Sequence, residues 1–156
     1  MSKRIVTLGI WDGTPIQWIV LKESKLGSVV ICKDGLFTRQ FDPQNRDWSD
    51  SDIRAYLNRE FFQQAFRAEE KKRIINTIID GKKTDIFLLS REEAENWMTE
   101  NEKKTGEKQL FRSHFGDEKV VAEFDFASGS NFRGFLRALN NEGYSFYIRP
   151  AFILDL

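Results

Sequence analysis

Residues 144–152 read YSFYIRPAF, and the chain ends just beyond them on ILDL. An arginine and a proline stand inside an otherwise apolar and aromatic run. The run has the make-up of a strand, the last of the chain. Pro150 has no amide hydrogen, so such a strand must lie at a sheet edge or have its ladder interrupted there. Arg149 rides on the same strand. If the strand carries it into a partly buried setting, its guanidinium needs a carboxylate or several carbonyl oxygens.

The whole chain has 156 residues, which suits one domain spanning residues 1–156. Hydrophobic residues make up 40% and charged residues 31%, the balance of a soluble globular protein. Fourteen Phe and four Trp supply much of the area that a core of this size must bury. Lys plus Arg equals Asp plus Glu at 24 each. A dedicated nucleic-acid binder carries a basic excess, because phosphate neutralisation drives its affinity, so zero net charge disfavours that class. Cys32 is the single cysteine and forms no internal disulfide, in keeping with a reducing compartment. The opening MSKRIVTLG has no apolar signal region, and no apolar run approaches the ~20 residues of a membrane span. The expected location is the cytoplasm, or a host's cytoplasm for a viral gene.

Working back from the C-terminus, VVAEFDF at 120–126 alternates as a half-buried strand. ASGSN is a turn, and FRGFLRALNNEG fits either a helix or a strand. TENEKKTGEKQ at 99–109 is almost wholly polar and reads as an exposed, mobile loop. Ser90 followed by Glu93 matches a capping box, so REEAENWM is a short helix with Ala94, Trp97 and Met98 on its apolar face. Ile53, Leu57 and Phe61 recur every fourth residue behind two N-cap candidates, Ser49 and Ser51, giving a helix of roughly four turns. RAEEKKRIINTIID is a second short helix or a helix passing into a strand. The first third is β: RIVTLG, then IQWIVLKE and GSVVICK joined as a hairpin, then LFTRQF. Strands flanking two helices specify an α+β domain with a mostly antiparallel twisted sheet and two main helices.

Four segments in order, WDGTPIQWIVL, WSDSDIRAYLN from Trp48, DIFLLSREEAE and YIRPAFILDL, resemble the bacterial family called domain of unknown function 6273. The resemblance covers nearly the whole chain. It departs at QLFRSHFG, where Phe111 replaces an expected leucine, and at 128–143, where no glycine-rich hairpin is evident. It implies that Trp48, Asp52, Arg54, Asn58, Arg149 and Pro150 are structural. It also implies that the terminal strand lies inside the sheet near the N-terminal strand, with Asp50 and Asp52 as partners for Arg149. By analogy, the layout is similar to C-type-lectin-like and formylglycine-generating-enzyme-like domains. A shared fold does not transfer their functions.

The candidate sites are sparse. Asp47, Asp50 and Asp52 could suggest a calcium loop, but Asn58 stands where a glutamate ligand belongs, and carboxylates at a helix start are favoured by its dipole. His114 beside Ser113 lacks an orienting group, so an ordinary packing or exposed histidine is favoured over a catalytic one. Cys32 reads as a small buried hydrophobe. One histidine and one cysteine build no typical zinc site, so neither metal nor cofactor is expected. Glu69–Glu70 and Glu92–Glu93 are adjacent in sequence and do not face each other. Phe132, Arg133, Phe135 and Arg137 have the composition of interface anchors, although core packing of the Phe residues is favoured. The expectation is a non-enzymatic module that binds a protein partner, with no membrane association. Its contacts would be Arg112, His114, Phe132, Arg133, Phe135 and Arg137, on segments Thr99–Gly116 and Ser128–Gly143. One alternative is an unrecognised enzyme using Arg112, Ser113, His114 and Arg149. Another is a phage or mobile-element inhibitor of a host nucleic-acid-processing protein, using Arg133, Arg137 and lysines.

Overall fold

The structure is a computed structural model that describes residues 3–39, 47–103, 108–115, 118–124, 131–135 and 146–155. It is a mixed α+β fold. One five-stranded sheet runs in the order β1 (Ile5–Trp11), β2 (Thr14–Ser24), β3 (Gly27–Cys32), β12 (Ala151–Leu154), β5 (Ile74–Ile75). All its pairs are antiparallel. A second runs β10 (Asn131–Phe135), β9 (Glu118–Phe124), β8 (Lys108–Phe115), β11 (Phe146–Ile148), β4 (Phe37–Arg39). It too is antiparallel except where β11 meets β8. β6 (Thr77–Ile79) and β7 (Lys82–Thr84) form a separate hairpin.

The expected single terminal strand is therefore two strands in two sheets. β11 pairs with β4, and β12 pairs with β3. Two lengths of chain, β3 to β4 and β11 to β12, thus cross between the sheets side by side and antiparallel. Arg149 and Pro150 stand at the crossing, where the ladder breaks. The Cys32 amide donates to the Pro150 carbonyl at 2.9 Å. The reciprocal ladder bond would need an amide hydrogen on Pro150, which proline lacks. Arg149 supplies the missing donor from its side chain: Nε reaches the Cys32 carbonyl at 2.7 Å, and Nη2 reaches that of Lys33 at 2.9 Å. The Leu36 amide donating to the Ile148 carbonyl closes the far side at 3.1 Å. Asp50 and Asp52 are not the partners of Arg149; they hold Lys82 at 3.0 Å and Arg39 at 3.2 Å. Carbonyls do the work instead, because the crossing leaves two of them without ladder donors.

The terminal strand does lie inside the first sheet, although β2 and β3 separate it from β1. The long helix packs on this sheet. Ser51 caps it, its Oγ accepting from the Arg54 amide at 3.2 Å, so the cap is the second of the two serine candidates. The helix runs as α1 (Asp52–Tyr56), a π-helical turn (Leu57–Phe61) and α2 (Phe62–Ala65). Ile53, Leu57 and Phe61 are wholly buried, each contributing about 1.5–3 kcal/mol of apolar burial. Phe66, just past the helix, stacks on Trp18 with centroids 6.1 Å apart and meets Phe152 edge-on at 5.8 Å. Trp18 in turn meets Phe152 at 4.6 Å, tying helix, β2 and β12 into one aromatic core. Trp48, in the short turn before the cap, is also fully buried.

The π turn is explained by Asn58. Its Nδ2 donates to the Arg54 carbonyl at 2.9 Å, the oxygen that a regular α-helix would pair with the Asn58 amide. Nδ2 also reaches the Ile86 carbonyl at 2.8 Å, and Oδ1 accepts from the amides of Asp85 and Ile86 at 2.8 and 2.9 Å. One side chain thus pins the buried segment 86–89 against the helix. Arg54 adds a bond to the Lys83 carbonyl at 2.7 Å.

The region after the long helix is both helix and strand: α3 (Ala68–Lys71) leads into β5. The capping box holds for α4 (Arg91–Trp97): the Ser90 Oγ accepts from the Glu93 amide at 3.1 Å, and Glu93 Oε1 accepts from the Ser90 amide at 2.9 Å. Ala94 and Met98 are buried and Trp97 half-buried. The polar run after Met98 is not simply an exposed loop. Thr99 and Glu102 form a second reciprocal cap that starts α5 (Glu100–Lys103), and Lys103 is buried.

Candidate functional site

Three separate segments bring aromatic rings and an arginine to one place. Trp11 ends β1, Phe37 and Arg39 lie on β4, and Tyr56 closes α1. All four are half-buried. Trp11 and Phe37 have centroids 5.3 Å apart, and Phe37 meets Tyr56 edge-on at 5.5 Å. Beneath them the buried Phe61 contacts both Trp11, at 5.1 Å, and Phe37, at 6.0 Å, so the tier rests on the core. The Arg39 guanidinium lies 3.9 Å over the Tyr56 ring and pairs with Asp52. Its buried Nε has no hydrogen-bond partner among the described residues. Burial pushes the Tyr56 hydroxyl above its ordinary pKa against the opposing pull of Arg39. Beside the tier, Ile10, Trp11, Asp12, Gly13 and Gln64 line a hollow of about 400 Å³. Ile10 is 54% exposed at its rim. Asp12 and Gly13 turn the chain here with φ of 50° and 77°, the left-handed region. The arrangement offers π faces, a cation and a mostly polar hollow with Ile10 and Trp11 at its wall, which is the chemistry of recognition.

Of the residues expected from sequence to make contacts, Arg112 is buried at 9% exposure. Its Nη1 donates to the Leu88 carbonyl at 2.8 Å and to Glu93, and its Nε lies 3.7 Å from Asp80. Burial pushes the Glu93 carboxyl up, but the bonds from Arg112 and the Ser90 amide outweigh it and hold Glu93 below the usual carboxylate range. Arg112 thus ties β8 to the start of α4. His114 lies on β8 opposite Lys119, and Phe132, Arg133 and Phe135 lie on β10 opposite Glu123, Ala122 and Val120. β9 therefore separates His114 from the other three. Arg137 lies outside the described residues, as do most of 128–143 and the side chains of His114, Phe132, Arg133 and Phe135.

The remaining candidates have structural surroundings. Cys32 is buried, and that burial pushes its thiol up to about 12. Among the described residues, no group of three or more His, Cys, Asp or Glu could hold a metal ion. No helix among them is long and apolar enough to cross a membrane. The aromatic tier was not visible in sequence. Its members lie far apart in the chain, and only Tyr56 sits in a periodic pattern, beside the stripe of Ile53, Leu57 and Phe61. The one available signal was Trp11 beside a turn.

The model of the family described as Domain of unknown function (DUF6273) matches residues 17–156. Comparison with curated proteins and with solved structures gives no match.

Proposed function

The chain belongs to that family, and from its own residues we propose that it is a non-enzymatic binding module whose partner is a protein. The observation that supports this reading is the tier of Trp11, Phe37, Tyr56 and Arg39 with the hollow beside it. Trp, Tyr and Arg are the residues that carry most binding energy at protein interfaces. These stand half-exposed on elements fixed by the core, so little ordering entropy is lost on docking. The equal numbers of cations and anions favour a protein partner over a nucleic acid. The proposal keeps the lectin-like layout, in which a rigid α+β base presents a recognition surface, and a cytoplasmic setting.

The test is capture from a cell lysate by the purified chain, compared with the variants Arg39→Ala and Tyr56→Ala. Both sites are partly exposed, so the variants should fold. The proposal expects a defined protein retained by the wild type, with affinity at least tenfold weaker in both variants. It also expects little change between 50 and 200 mM salt. Retention unaffected by either variant would refute the assignment of the tier. A steep loss with salt, accompanied by bound nucleic acid, would refute the partner class.

A further inference from the structure

The hollow beside the aromatic tier carries charge of one sign. Among the described residues it is lined by Ile10, Trp11, Asp12, Gly13 and Gln64, of which Asp12 alone is charged. No hydrogen bond or ion pair to a described residue engages the exposed Asp12 carboxylate. The neighbouring guanidinium of Arg39 is taken up by Asp52 and the Tyr56 ring. Gln64 brings the last turn of the long helix to the same hollow. A helix end gathers unpaired carbonyl oxygens and partial negative charge, and this last turn has no basic residue to answer it. Lys71 donates to Gln63 and lies 5.6 Å over Phe62, and it does not line the hollow.

The rest of the wall suits the stem of a long side chain. Ile10 is 54% exposed, and Trp11 belongs to both the hollow and the tier. Long basic side chains lay their methylenes along apolar surface while the charged head meets a polar group, and tryptophan is the ring best suited to a cation. The Gln64 side chain adds an amide oxygen as a second acceptor. The carboxylate is also held in place. Asp12 and Gly13, with φ of 50° and 77°, form the two-residue turn between the paired Trp11 and Thr14, the type I′ geometry of a tight hairpin.

We propose that this hollow receives one basic side chain, a lysine or arginine, of the protein partner. Asp12 pairs with its charge, Gln64 accepts a further hydrogen bond, and Ile10 and Trp11 cover its stem. The inference rests on the reading of the tier as a protein-binding surface and adds what the partner presents beside it. A charge pair at an open rim fixes the orientation and speed of docking more than its strength.

The probe is lysine blocked as its Nα-acetyl methylamide, compared with the norleucine analogue, which lacks only the amine. Binding is followed by NMR through the Trp11 indole Nε1 and the Gly13 amide. Asp12→Asn removes the charge and keeps the turn, since Asn-Gly suits a type I′ turn as well as Asp-Gly does. Gln64→Glu adds a charge at an exposed position. The proposal expects saturable shifts with the lysine amide at millimolar concentration, as befits so small a ligand. Binding should be roughly three- to fivefold weaker in Asp12→Asn and roughly twofold tighter in Gln64→Glu, the range of an exposed charge pair. No saturable shift in the wild type, equal binding of the norleucine amide, or unchanged binding in Asp12→Asn overturns the proposal. Those results leave the tier untouched wherever capture still depends on Arg39 and Tyr56. If the lysine amide binds as expected but capture of the partner is unchanged in Asp12→Asn, the assignment of the hollow to that partner is overturned.

Discussion

Replacing Arg149 by methionine tests the crossing between the sheets. The change removes two hydrogen bonds from a charged donor to the Cys32 and Lys33 carbonyls. Each such bond is worth about 1.5–3 kcal/mol, and its loss leaves a carbonyl unpaired in a buried place. Removing a desolvated, uncompensated guanidinium offsets part of that. The expected net loss is about 3 kcal/mol. At roughly 2–4 °C per kcal/mol for a chain of this size, Tm should fall by about 6–12 °C. The sharper test adds Pro150→Ala. Alanine restores an amide hydrogen opposite the Cys32 carbonyl, the donor that Arg149 Nε replaces. In the wild type that amide competes for an oxygen already taken. In the Arg149→Met background it fills an empty place. A double-mutant cycle should therefore show a coupling of about 1 kcal/mol, with the double variant more stable than additivity allows. Urea unfolding followed through tryptophan fluorescence, to which the buried Trp18 and Trp48 contribute, reads all four proteins. Additive effects, or an Arg149→Met variant with unchanged Tm, would refute the reasoning.

Asn58→Ala should cost about 3–4 kcal/mol, because it strands the amides of Asp85 and Ile86 and the Ile86 carbonyl together, whereas Asn58→Asp keeps both accepted bonds and should cost less; urea midpoints rank the two. Gly9→Ala should cost about 2–3 kcal/mol, since φ is +78° and a Cβ would fall 2.8 Å from the Phe66 ring and 2.9 Å from the Ala65 carbonyl; an unchanged Tm would contradict that close approach. The Cys32 thiol has a pKa raised from 9.0 to about 12 in the folded state. Its contribution to stability is complete below pH 9 and declines as the pH rises toward 12, because the unfolded chain loses the proton first. Between pH 8 and 10 this should remove about 1 kcal/mol, and Cys32→Ala should flatten the decline. Equal slopes in urea unfolding of the two proteins would refute it. Glu93 titrates in the opposite sense: its lowered pKa makes its contribution present above the ordinary glutamate range and lost as the pH falls through the folded value, so Glu93→Gln should weaken the acid dependence of Tm.

Local rules carried much of the fold. The fourfold spacing of Ile53, Leu57 and Phe61 and the Ser90–Glu93 box each concern a single turn of chain, and both elements stand where those rules put them. The β2–β3 hairpin is likewise local, closing at Ser24 and Gly27. The Thr99–Glu102 cap escapes such rules, because it sits in a run so polar that no apolar face marks a helix. At Arg149–Pro150 the residues announced an interruption but not its form. Whether a broken ladder marks an edge or a passage between sheets depends on where β4 and β8 lie, which no nearby residue encodes. Aspartates were expected to answer the buried arginine, and backbone oxygens did so, because the acceptors were created by the proline itself. The aromatic tier was illegible for a related reason: Trp11, Phe37 and Tyr56 meet only once both sheets and the helix have been assembled.

The defining feature of the fold is two stretches of chain running together from one sheet into the other. Hydrogen-bond scalar couplings in the labelled protein test that most directly, since they register a donor nitrogen and an acceptor carbonyl carbon across the same bond. Cross-peaks should join the Cys32 amide to the Pro150 carbonyl and the Leu36 amide to the Ile148 carbonyl, with both amides slow to exchange. If neither coupling is found and both amides exchange at the rate of open chain, the passage between the sheets does not exist as described.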